Sequence, residues 1–237
     1  MRALGVIGGM SWESTAVTYR LLNEGVARRR GGLASAPLWL HSVDFAPVAA
    51  AQAAGDWDAL AAQLARAAVG LVGAGARGLL LATNTMHRVA PAIEAAAGVP
   101  LLHIADATGA AVRAAGVRRV GLLATRFTLE DPAIVRDRLA RQHGLEVLLP
   151  PPAARTLVHR VIYEELCRGV VRAPSCSACV GVIDALRAAG AEAVILGCTE
   201  LGLLIDAAES PLPVFDSTAL HAAAAVDWML QDEEIDP

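Results

Sequence analysis

The chain has 237 residues, of which 55% are hydrophobic and 4% aromatic, and its formal net charge is −4. This length fits one large domain or two small ones, and the aliphatic composition favours helices that cover a buried sheet. All 20 basic residues are arginine, which excludes enzymes that form a lysine Schiff base with pyridoxal phosphate and P-loop nucleotide enzymes. The small net charge argues against a nucleic-acid partner.

The sequence shows no targeting or membrane segment. Its first nine residues contain too short an apolar run for a signal peptide, and no later segment approaches the ~20 apolar residues of a membrane span. We therefore expect a cytoplasmic protein with no membrane partner. In that compartment its four cysteines should be reduced thiols. They are Cys167, Cys176, Cys179 and Cys198.

Short apolar runs recur along the chain, and each leads into a turn that contains Gly or Thr and then into a helical stretch. These runs lie at 4–9, 78–83, 120–125 and 193–198. Runs that are apolar on both faces are typical of strands in a parallel sheet. The first helix should end at the arginines 28–30, because cations are favoured at a helix C-terminus. The alternation of strands and helices predicts an α/β fold.

The chain contains an internal duplication. At an offset of 115 residues, 74–84 aligns with 189–199 and pairs Thr83 with Cys198. At an offset of 116 residues, Gly9 pairs with Thr125. A weaker echo links the apolar runs at 99–102 and 212–215. We predict two pseudo-symmetric Rossmann-like α/β halves, each with a central parallel sheet flanked by helices. The predicted halves are residues 1–100 with 212–237, and residues 101–211.

The position of these turns predicts where a ligand binds. In open α/β sheets, ligands bind outside the carboxyl ends of the strands, where all four turns lie. If the halves face each other about an approximate two-fold axis, the turns converge on one cleft. Thr83 and Cys198 would then stand on opposite walls, which suits chemistry at two faces of one carbon.

Cys198 ends a strand and precedes residues 199–201, which resemble the first turn of a helix. Backbone N–H groups at such a position lower the pKa of a thiol and favour the thiolate, so we predict a reactive cysteine. The alternative is a buried structural cysteine.

Polar donors follow the other strands. Asn84 and Thr85 directly follow Thr83, and their amide, hydroxyl and backbone N–H groups could cradle a carboxylate. Simple helix capping is the alternative. The turn at 8–11 allows the backbone to approach a ligand, but it lacks the spacing of a dinucleotide-binding fingerprint. Thr125 and Thr128 supply the corresponding donors in the second half.

Other cysteines and the histidines give weaker signals. Cys176 and Cys179 have the spacing of a redox or half-zinc motif, but they lie in a predicted helix without a second cysteine pair. The six histidines are dispersed, and His87 is the one that could support the cleft from behind. We therefore predict no metal site.

The motifs together resemble the aspartate/glutamate racemase family of cofactor-independent amino-acid racemases. The resemblance runs along nearly the whole chain. Its segments are G-G-M-S-W-E-S-T at 8–15, H-S-V-D-F at 41–45, T-N-T-M-H at 83–87, H-I-A-D-A-T at 103–108, A-T-R-F-T at 124–128, E-E-L-C at 164–167 and G-C-T-E at 197–200.

The resemblance implies an active site between two Rossmann-like halves and a two-base reaction without a cofactor. One residue removes the α-proton and another protonates the opposite face. The chain departs from the commonest family pattern because Thr83 stands where the first cysteine would be, as in a branch of the family that acts mainly on L-enantiomers. We therefore expect Cys198 to deprotonate the L-enantiomer of a small acidic amino acid, aspartate or glutamate, with Thr83 on the opposite face.

The resemblance also extends the predicted site and implies a homodimer. Arg126 could assist binding of the substrate carboxylates, and His87 and Glu200 could support the catalytic pair. The predicted substrate-binding residues are Met10, Ser11, Gln52, Asn84, Thr85, Thr125, Thr128 and Thr199.

Three alternatives remain at the level of the sequence. A related fold uses a cysteine to decarboxylate or isomerise small diacids such as malonates or maleate. Loss of the first cysteine could instead have left an amino-acid-binding protein with little turnover. A thiol-based redox protein would use Cys176 and Cys179.

Overall fold

The chain forms two compact units in a computed structural model that describes residues 1–231. Of the described residues, 1–103 and 221–231 form the first unit, and 104–220 form the second. Each unit has one four-stranded parallel sheet flanked by helices. This architecture confirms the predicted α/β fold class.

The sheet of the first unit consists of four parallel strands, β1 (Leu4–Gly8), β2 (Leu38–Ser42), β3 (Gly78–Leu81) and β4 (Leu101–Leu102). Their order in the sheet is β2-β1-β3-β4. The register pairs Ile7 of β1 with Leu81 of β3. The carboxyl ends of these two central strands therefore lie side by side.

The helices of the first unit are α1 (Trp12–Arg30), α2 (Phe45–Ala54), α3 (Trp57–Gly73) and α4 (Ala90–Ala97), with a 3-10 helix at Thr85–Val89. Ser11 caps α1 by accepting a hydrogen bond from the Ser14 N–H. The helix ends at Arg30 with three arginines in its last turn, as predicted. Gly31 then reverses the chain with φ 72°.

The sheet of the second unit repeats this arrangement. Its parallel strands are β5 (Arg119–Leu123), β6 (Glu146–Leu148), β7 (Ala193–Leu196) and β8 (Val214–Asp216). Their order is β6-β5-β7-β8, so β5 and β7 are central, as β1 and β3 are in the first sheet. The shared strand order is what the predicted duplication requires.

The helices of the second unit are α5 (Ile104–Ala114), α6 (Arg126–Glu130), α7 (Arg136–His143), α8 (Pro152–Glu164) and α9 (Ala173–Ala188), with 3-10 helices at Leu166–Arg168 and Leu201–Leu203. A last helix, α10 (Ser217–Leu230), begins in the second unit and continues into the first. Within residues 1–231, none of the helices combines the length and apolar character that crossing a membrane requires.

Each sheet has a hydrophobic core on both faces, because alternate residues of a strand point to opposite sides. In β3, Leu80 packs with residues of α1 and α10, whereas Leu79 and Leu81 pack with residues of α3 and α4. In the second unit, Leu122 packs with α5 and α7, and Leu123 packs with α8 and α9. The central strands can therefore hold polar side chains only beyond their ends.

Both boundaries between the units lie later in the chain than predicted. Leu101 and Leu102 form β4 and pair with β3, so they belong to the first unit. Val214 pairs with Val194 of β7, so the run at 212–215 belongs to the second unit and not to the first. Pairing of an edge strand through backbone hydrogen bonds decides these memberships, and the apolar pattern alone does not encode it.

Two strands were not predicted. β2 and β6 are sheet edges, and most residues of β2 are exposed. Edge strands with one or both faces open to solvent lack the continuous apolar run that identifies a buried parallel strand. The sequence signal therefore identified the central strands and missed these edges.

The core on the α5 side of the second sheet gives a direct test of the fold. Leu122 is fully buried there, whereas the Leu33 side chain is fully exposed. Leu122→Ala should lower the free energy of unfolding by about 2–5 kcal/mol through lost burial and a residual cavity. Leu33→Ala, the matched control, should change it by less than about 0.5 kcal/mol. Urea denaturation followed by circular dichroism measures both, and equal effects would contradict this assignment of the core.

Candidate active site

Thr83 occupies the turn that follows β3 in the first unit. The Ala82 N–H donates to the Ile7 carbonyl at 2.9 Å, which keeps the turn attached to β1 after the last strand residue. Thr83 is buried, and its N–H donates to the Leu81 carbonyl at 2.8 Å. His87 closes the turn, since its Nδ1 lies 2.8 Å from the Thr83 carbonyl. A carbonyl oxygen can only accept, so Nδ1 is the protonated nitrogen of His87.

Three histidines cluster behind this turn. The rings of His87 and His103 have centroids 4.3 Å apart, and those of His87 and His221 are 5.9 Å apart. Burial lowers the pKa of His87 well below its usual value, and the neighbouring histidines lower it further. Burial also lowers the pKa of His221 to about 4, and its Nε2 donates to the Leu102 carbonyl at 2.6 Å. His87 and His221 are therefore uncharged at neutral pH and act as hydrogen-bond donors to backbone.

The turn after β1 requires glycine at its second position. Gly9 has φ 90°, and a Cβ atom there would lie 2.2 Å from the Val43 carbonyl oxygen. Its N–H donates to Thr15 Oγ1 at 2.8 Å, and Thr15 in turn donates to the Ser11 carbonyl at 2.7 Å. These contacts hold Ser11 at the carboxyl end of β1, beside the end of β3.

The remaining predicted residues of the first unit are buried polar or apolar groups near these turns. Asn84 begins the 3-10 helix at Thr85–Val89, and its side chain makes no capping hydrogen bond to that helix. Helix capping, the alternative to ligand binding, therefore does not explain why Asn84 stands at this position. Gln52 is buried in α2. Met10, Asn84 and Thr85 are also buried.

Cys198 occupies the equivalent turn of the second unit, after β7. The Gly197 N–H donates to the Leu123 carbonyl at 2.7 Å, which attaches the turn to β5. Cys198 is buried, and its thiol donates to Glu200 Oε2 at 3.0 Å. The Thr199 hydroxyl donates to the same oxygen at 2.8 Å. The buried carboxylate of Glu200 thus accepts hydrogen bonds from both neighbours.

The resting state of Cys198 differs from the prediction. Burial raises the pKa of the thiol well above its usual value, and the nearby Glu200 carboxylate raises it further. The predicted α-helical turn is absent from residues 199–201, and only a three-residue 3-10 helix follows at Leu201–Leu203. The expected lowering of the pKa was therefore wrong, because Cys198 has a buried anion beside it instead of a helix N-terminus. The resting side chain is a neutral thiol.

Thr125 and Thr128 form a second hydroxyl pair, after β5. Thr125 caps α6, and its Oγ1 accepts from the Thr128 N–H at 3.4 Å and lies 3.2 Å from Thr128 Oγ1. Arg126 differs from these buried residues because its side chain is exposed and forms an ion pair with Glu130 at 3.6 Å. In this structure Arg126 is engaged with Glu130.

The sequence analysis missed Tyr163 of α8. It packs against the core cluster that contains Cys198. Burial raises the pKa of its hydroxyl, and Cys198 is the largest electrostatic cause, ahead of Cys167 and Glu200. Its ring also lies 4.7 Å from that of His159. Tyr163 directly precedes the motif at 164–167. That position beside a family motif was the one feature of the sequence that could have identified it.

The other cysteines form no metal or disulfide site in the described part of the chain. Cys167, Cys176 and Cys179 are not in disulfide bonds, and residues 1–231 contain no cluster of His, Cys, Asp and Glu suited to a metal ion. Cys176 and Cys179 lie in α9, as predicted. Burial raises the pKa of Cys179 to about 11, and burial and Glu209 raise that of Cys176. Neither thiol is activated for redox chemistry.

The structure thus collects the predicted residues into two groups. In the first unit, Met10, Ser11, Thr83, Asn84, Thr85 and His87 lie at the ends of β1 and β3, and Gln52 lies in α2. In the second unit, Thr125, Thr128, Cys198, Thr199 and Glu200 lie at the ends of β5 and β7. Their roles in binding and catalysis remain predictions.

Comparison with known proteins shows the same family along the chain. A family model described as Asp/Glu/Hydantoin racemase matches residues 7–225. A Yersinia pestis protein inferred to be an Asp/Glu racemase has a crystal structure that is 49% identical, covers 98% of this chain and 100% of its own, and superposes with a TM-score of 0.89. The structure of an aspartate racemase homologue from Pyrococcus horikoshii OT3 is 30% identical, covers 97% and 99% of the two chains, and has a TM-score of 0.81.

An uncharacterised protein from Pectobacterium carotovorum subsp. carotovorum is 33% identical over 130 residues, which are 54% of this chain and 84% of that protein.

The thiol environment predicts a pH dependence of alkylation. The pH midpoint for modification of Cys198 by iodoacetamide should lie above the ~8.5 of a free thiol. Glu200→Gln removes the adjacent negative charge and should lower this midpoint, although burial should still keep it above that of a free thiol. Peptide mass spectrometry across a neutral to alkaline pH series measures the rate at each cysteine.

Glu209→Gln is the matched control for this experiment, because Glu209 accepts a hydrogen bond from Cys176 at 3.5 Å. It should lower the midpoint of Cys176 and leave that of Cys198 unchanged. A Cys198 midpoint at or below that of a free thiol would contradict the neutral resting state.

Proposed function

Because the chain belongs to the Asp/Glu/Hydantoin racemase family, we propose that it racemises aspartate or glutamate without a cofactor. In this proposal Cys198 removes the α-proton of the L-enantiomer, and Thr83, or a water beside it, protonates the opposite face. The family is described as one of racemases, and the 49% identical structure belongs to a protein inferred to be an Asp/Glu racemase, which supports the isomerase reaction.

The observation that most supports the catalytic pair is the equivalence of two buried strand ends. Thr83 follows β3 and Cys198 follows β7, and these strands occupy the same place in two sheets of identical order. Both side chains are buried in turns attached by a backbone hydrogen bond to the neighbouring central strand. Two-base racemisation needs one proton-transferring group for each face of the α-carbon, and a duplicated fold supplies such a pair.

Glu200 gives Cys198 a route to its reactive form. A neutral thiol cannot remove an α-proton, so the S–H proton must leave before catalysis. The Glu200 carboxylate already accepts that proton in a hydrogen bond of 3.0 Å. We propose that Glu200 takes the proton when substrate binds, and that the resulting thiolate then removes the α-proton. Because burial disfavours the thiolate in the resting protein, turnover should be slow.

The Thr83 side of the reaction depends on proton delivery. A threonine hydroxyl is too weak an acid to exist as an alkoxide at rest, so it serves as a donor or positions a water. His87 holds the Thr83 carbonyl through Nδ1 and stays neutral, which fixes the turn without adding charge. One proton leaves the α-carbon for sulfur and another arrives from the Thr83 side. Cys198 is then a thiol again, and Thr83, or the water beside it, has lost a proton. The proton held by Glu200 replaces that proton through solvent, so the cycle consumes none.

Neutral donors surround the two proposed catalytic residues, which suits an acidic substrate. Hydroxyl and amide groups donate to carboxylates without the strong binding of a buried cation. We propose that Asn84, Thr85, Thr125, Thr128 and Thr199 bind the two carboxylates. Ser11, Gln52 and Met10 would complete the pocket.

The decisive experiment follows α-proton exchange in D2O. The purified protein is incubated without added cofactor with L- and D-aspartate and with L- and D-glutamate, and NMR and chiral chromatography follow exchange and racemisation. Cys198→Ala should reduce exchange by about a hundredfold or more, because the proposed base is lost. Cys176→Ala, which removes a half-buried free thiol of the same unit, should leave it unchanged.

Retained exchange in Cys198→Ala would contradict the mechanism. If the wild-type protein exchanges none of the four substrates, the binding-protein and diacid alternatives take precedence, and malonates and maleate become the next substrates to test.

A second substitution tests the Thr83 face. Thr83→Cys should raise racemisation by about ten- to a hundredfold, because a thiol is a far better proton donor and base than a hydroxyl. The same NMR and chiral assays measure it. Thr18→Cys is the control, because it places a new thiol at a buried position further along α1, and it should leave racemisation unchanged. Unchanged or lower activity in Thr83→Cys, in a variant that folds normally, would contradict the proposed role of position 83.

We also propose that the protein is a homodimer that buries the edge strand β2. Edge strands expose unpaired backbone groups, and Trp39 and Leu40 of β2 are 46% and 47% exposed. Light scattering should give twice the mass of one chain, and Leu40→Glu should shift the mass toward the monomer. Val69→Glu in α3, at a site that is 50% exposed, should not. A monomeric wild-type protein would refute this proposal.

A further inference from the structure

An amino-acid substrate carries a positive α-ammonium group, and none of the residues proposed above to bind the substrate is assigned to it. The residues proposed to bind the two carboxylates are neutral, and most are hydrogen-bond donors. The one acidic residue among the predicted site residues is Glu200, whose Oε2 accepts from Cys198 and Thr199. The α-ammonium group needs an acceptor, and a carboxylate is the strongest one that a side chain offers.

Glu13 has such an acceptor without a hydrogen bond. Its Oε2 atom is buried and makes no hydrogen bond with any residue in the described part of the chain. Buried polar atoms are almost always hydrogen-bonded, and a buried carboxylate oxygen without a partner costs more than a neutral group. An atom of this kind in a native fold calls for a specific explanation, and a cationic ligand supplies one.

The position of Glu13 connects it to the proposed site. It lies in the first turn of α1, two residues after the Ser11 cap. That turn packs closely against the end of β1, because a Cβ atom on Gly8 would lie 2.4 Å from the Thr15 side chain. The pairing of Ile7 with Leu81 places the following residues of β1 beside the Thr83 turn. Glu13, in the first turn of α1, and Thr83, in the loop after β3, therefore both lie at the carboxyl end of the central strands of the first sheet.

Glu13 lies at the positive end of the α1 dipole, because it is in the first turn of that helix. A carboxylate oxygen that is buried and makes no hydrogen bond is a good acceptor for an ammonium group and offers no donor to another carboxylate. Glu13 would therefore bind an amino acid through its amine and make no contact with a diacid that lacks an amine.

We propose that Glu13 Oε2 binds the α-ammonium group of the substrate and selects amino acids over diacids of the same length. This inference rests on the proposed racemase function and deepens it by assigning the residue that recognises the amine. It would also separate this chain from enzymes that decarboxylate or isomerise simple diacids.

The test compares ligands that differ only in the amine. Isothermal titration calorimetry measures L-aspartate against succinate and L-glutamate against glutarate, in a Cys198→Ala background that prevents turnover. Glu13→Gln keeps the shape and removes the charge. It should lower the affinity for L-aspartate or L-glutamate by about tenfold or more, as loss of a hydrogen bond to a charged group does. The affinity for succinate or glutarate should change by less than about twofold.

The control is Glu24→Gln on the same helix, whose side chain is exposed and forms ion pairs with Arg20 and Arg28. Glu24→Gln should leave the affinity for both ligands of each pair unchanged. Equal weakening of amino acid and diacid by Glu13→Gln, or no effect on either, would overturn the inference. If Glu13→Gln fails to fold, Glu13→Asp replaces it. Its side chain is shorter by one methylene, so it should lower the affinity for the amino acid and leave the affinity for the diacid unchanged.

The outcome for Glu13 is separate from that for the proposed function. Wild-type exchange of the α-proton together with unchanged amino-acid affinity in Glu13→Gln would refute the inference and leave racemisation intact. Absence of α-proton exchange in the wild-type protein would refute the racemase function, and absence of amino-acid binding would refute both.

Discussion

The structure depends on one constraint, which is that the central strands of both sheets are buried on both faces. A strand with a core on each side cannot hold a polar side chain along its length without leaving that group unsatisfied. Polar residues are therefore displaced to the point where each strand ends. In both units that point is the carboxyl end of the two central strands, where the helices begin and backbone N–H groups become available. The location of the candidate site follows from how the sheets are built.

The two candidate catalytic turns share their backbone arrangement and differ in their chemistry. A buried anion, Glu200, accompanies Cys198, and a neutral histidine, His87, accompanies Thr83. Burial raises the pKa of Cys198 and lowers that of His87, so both side chains rest uncharged. Neither of these two side chains is therefore held as an ion in the resting protein, and the buried anion beside Cys198 is Glu200. The proposed reaction needs a thiolate at Cys198, and proton transfer to Glu200 would generate it.

The fold was predictable where the sequence signal is local and repeated. The central strands are short apolar runs, and the offsets that align them also paired Thr83 with Cys198. The edge strands β2 and β6 were missed because they are partly exposed and carry no such run. The boundaries between the units lay later than predicted, because membership of β4 and β8 depends on which strand they pair with. Tyr163 was missed because its packing against the core around Cys198 joins residues distant in sequence. Glu13 was missed because the burial of its Oε2 atom is not visible in the sequence.

The sequence by itself determined the α/β class, the duplication, the equivalence of positions 83 and 198, and the family. These follow from residue identity and periodicity, which are properties of the chain read in order. Only the tertiary structure decided the ionisation state of Cys198, the hydrogen bond that orients His87 and the unbonded oxygen of Glu13. These depend on burial and on distances between atoms. A pKa or an unmet hydrogen bond is set by the surrounding dielectric and neighbours, and the chain acquires those only when it folds.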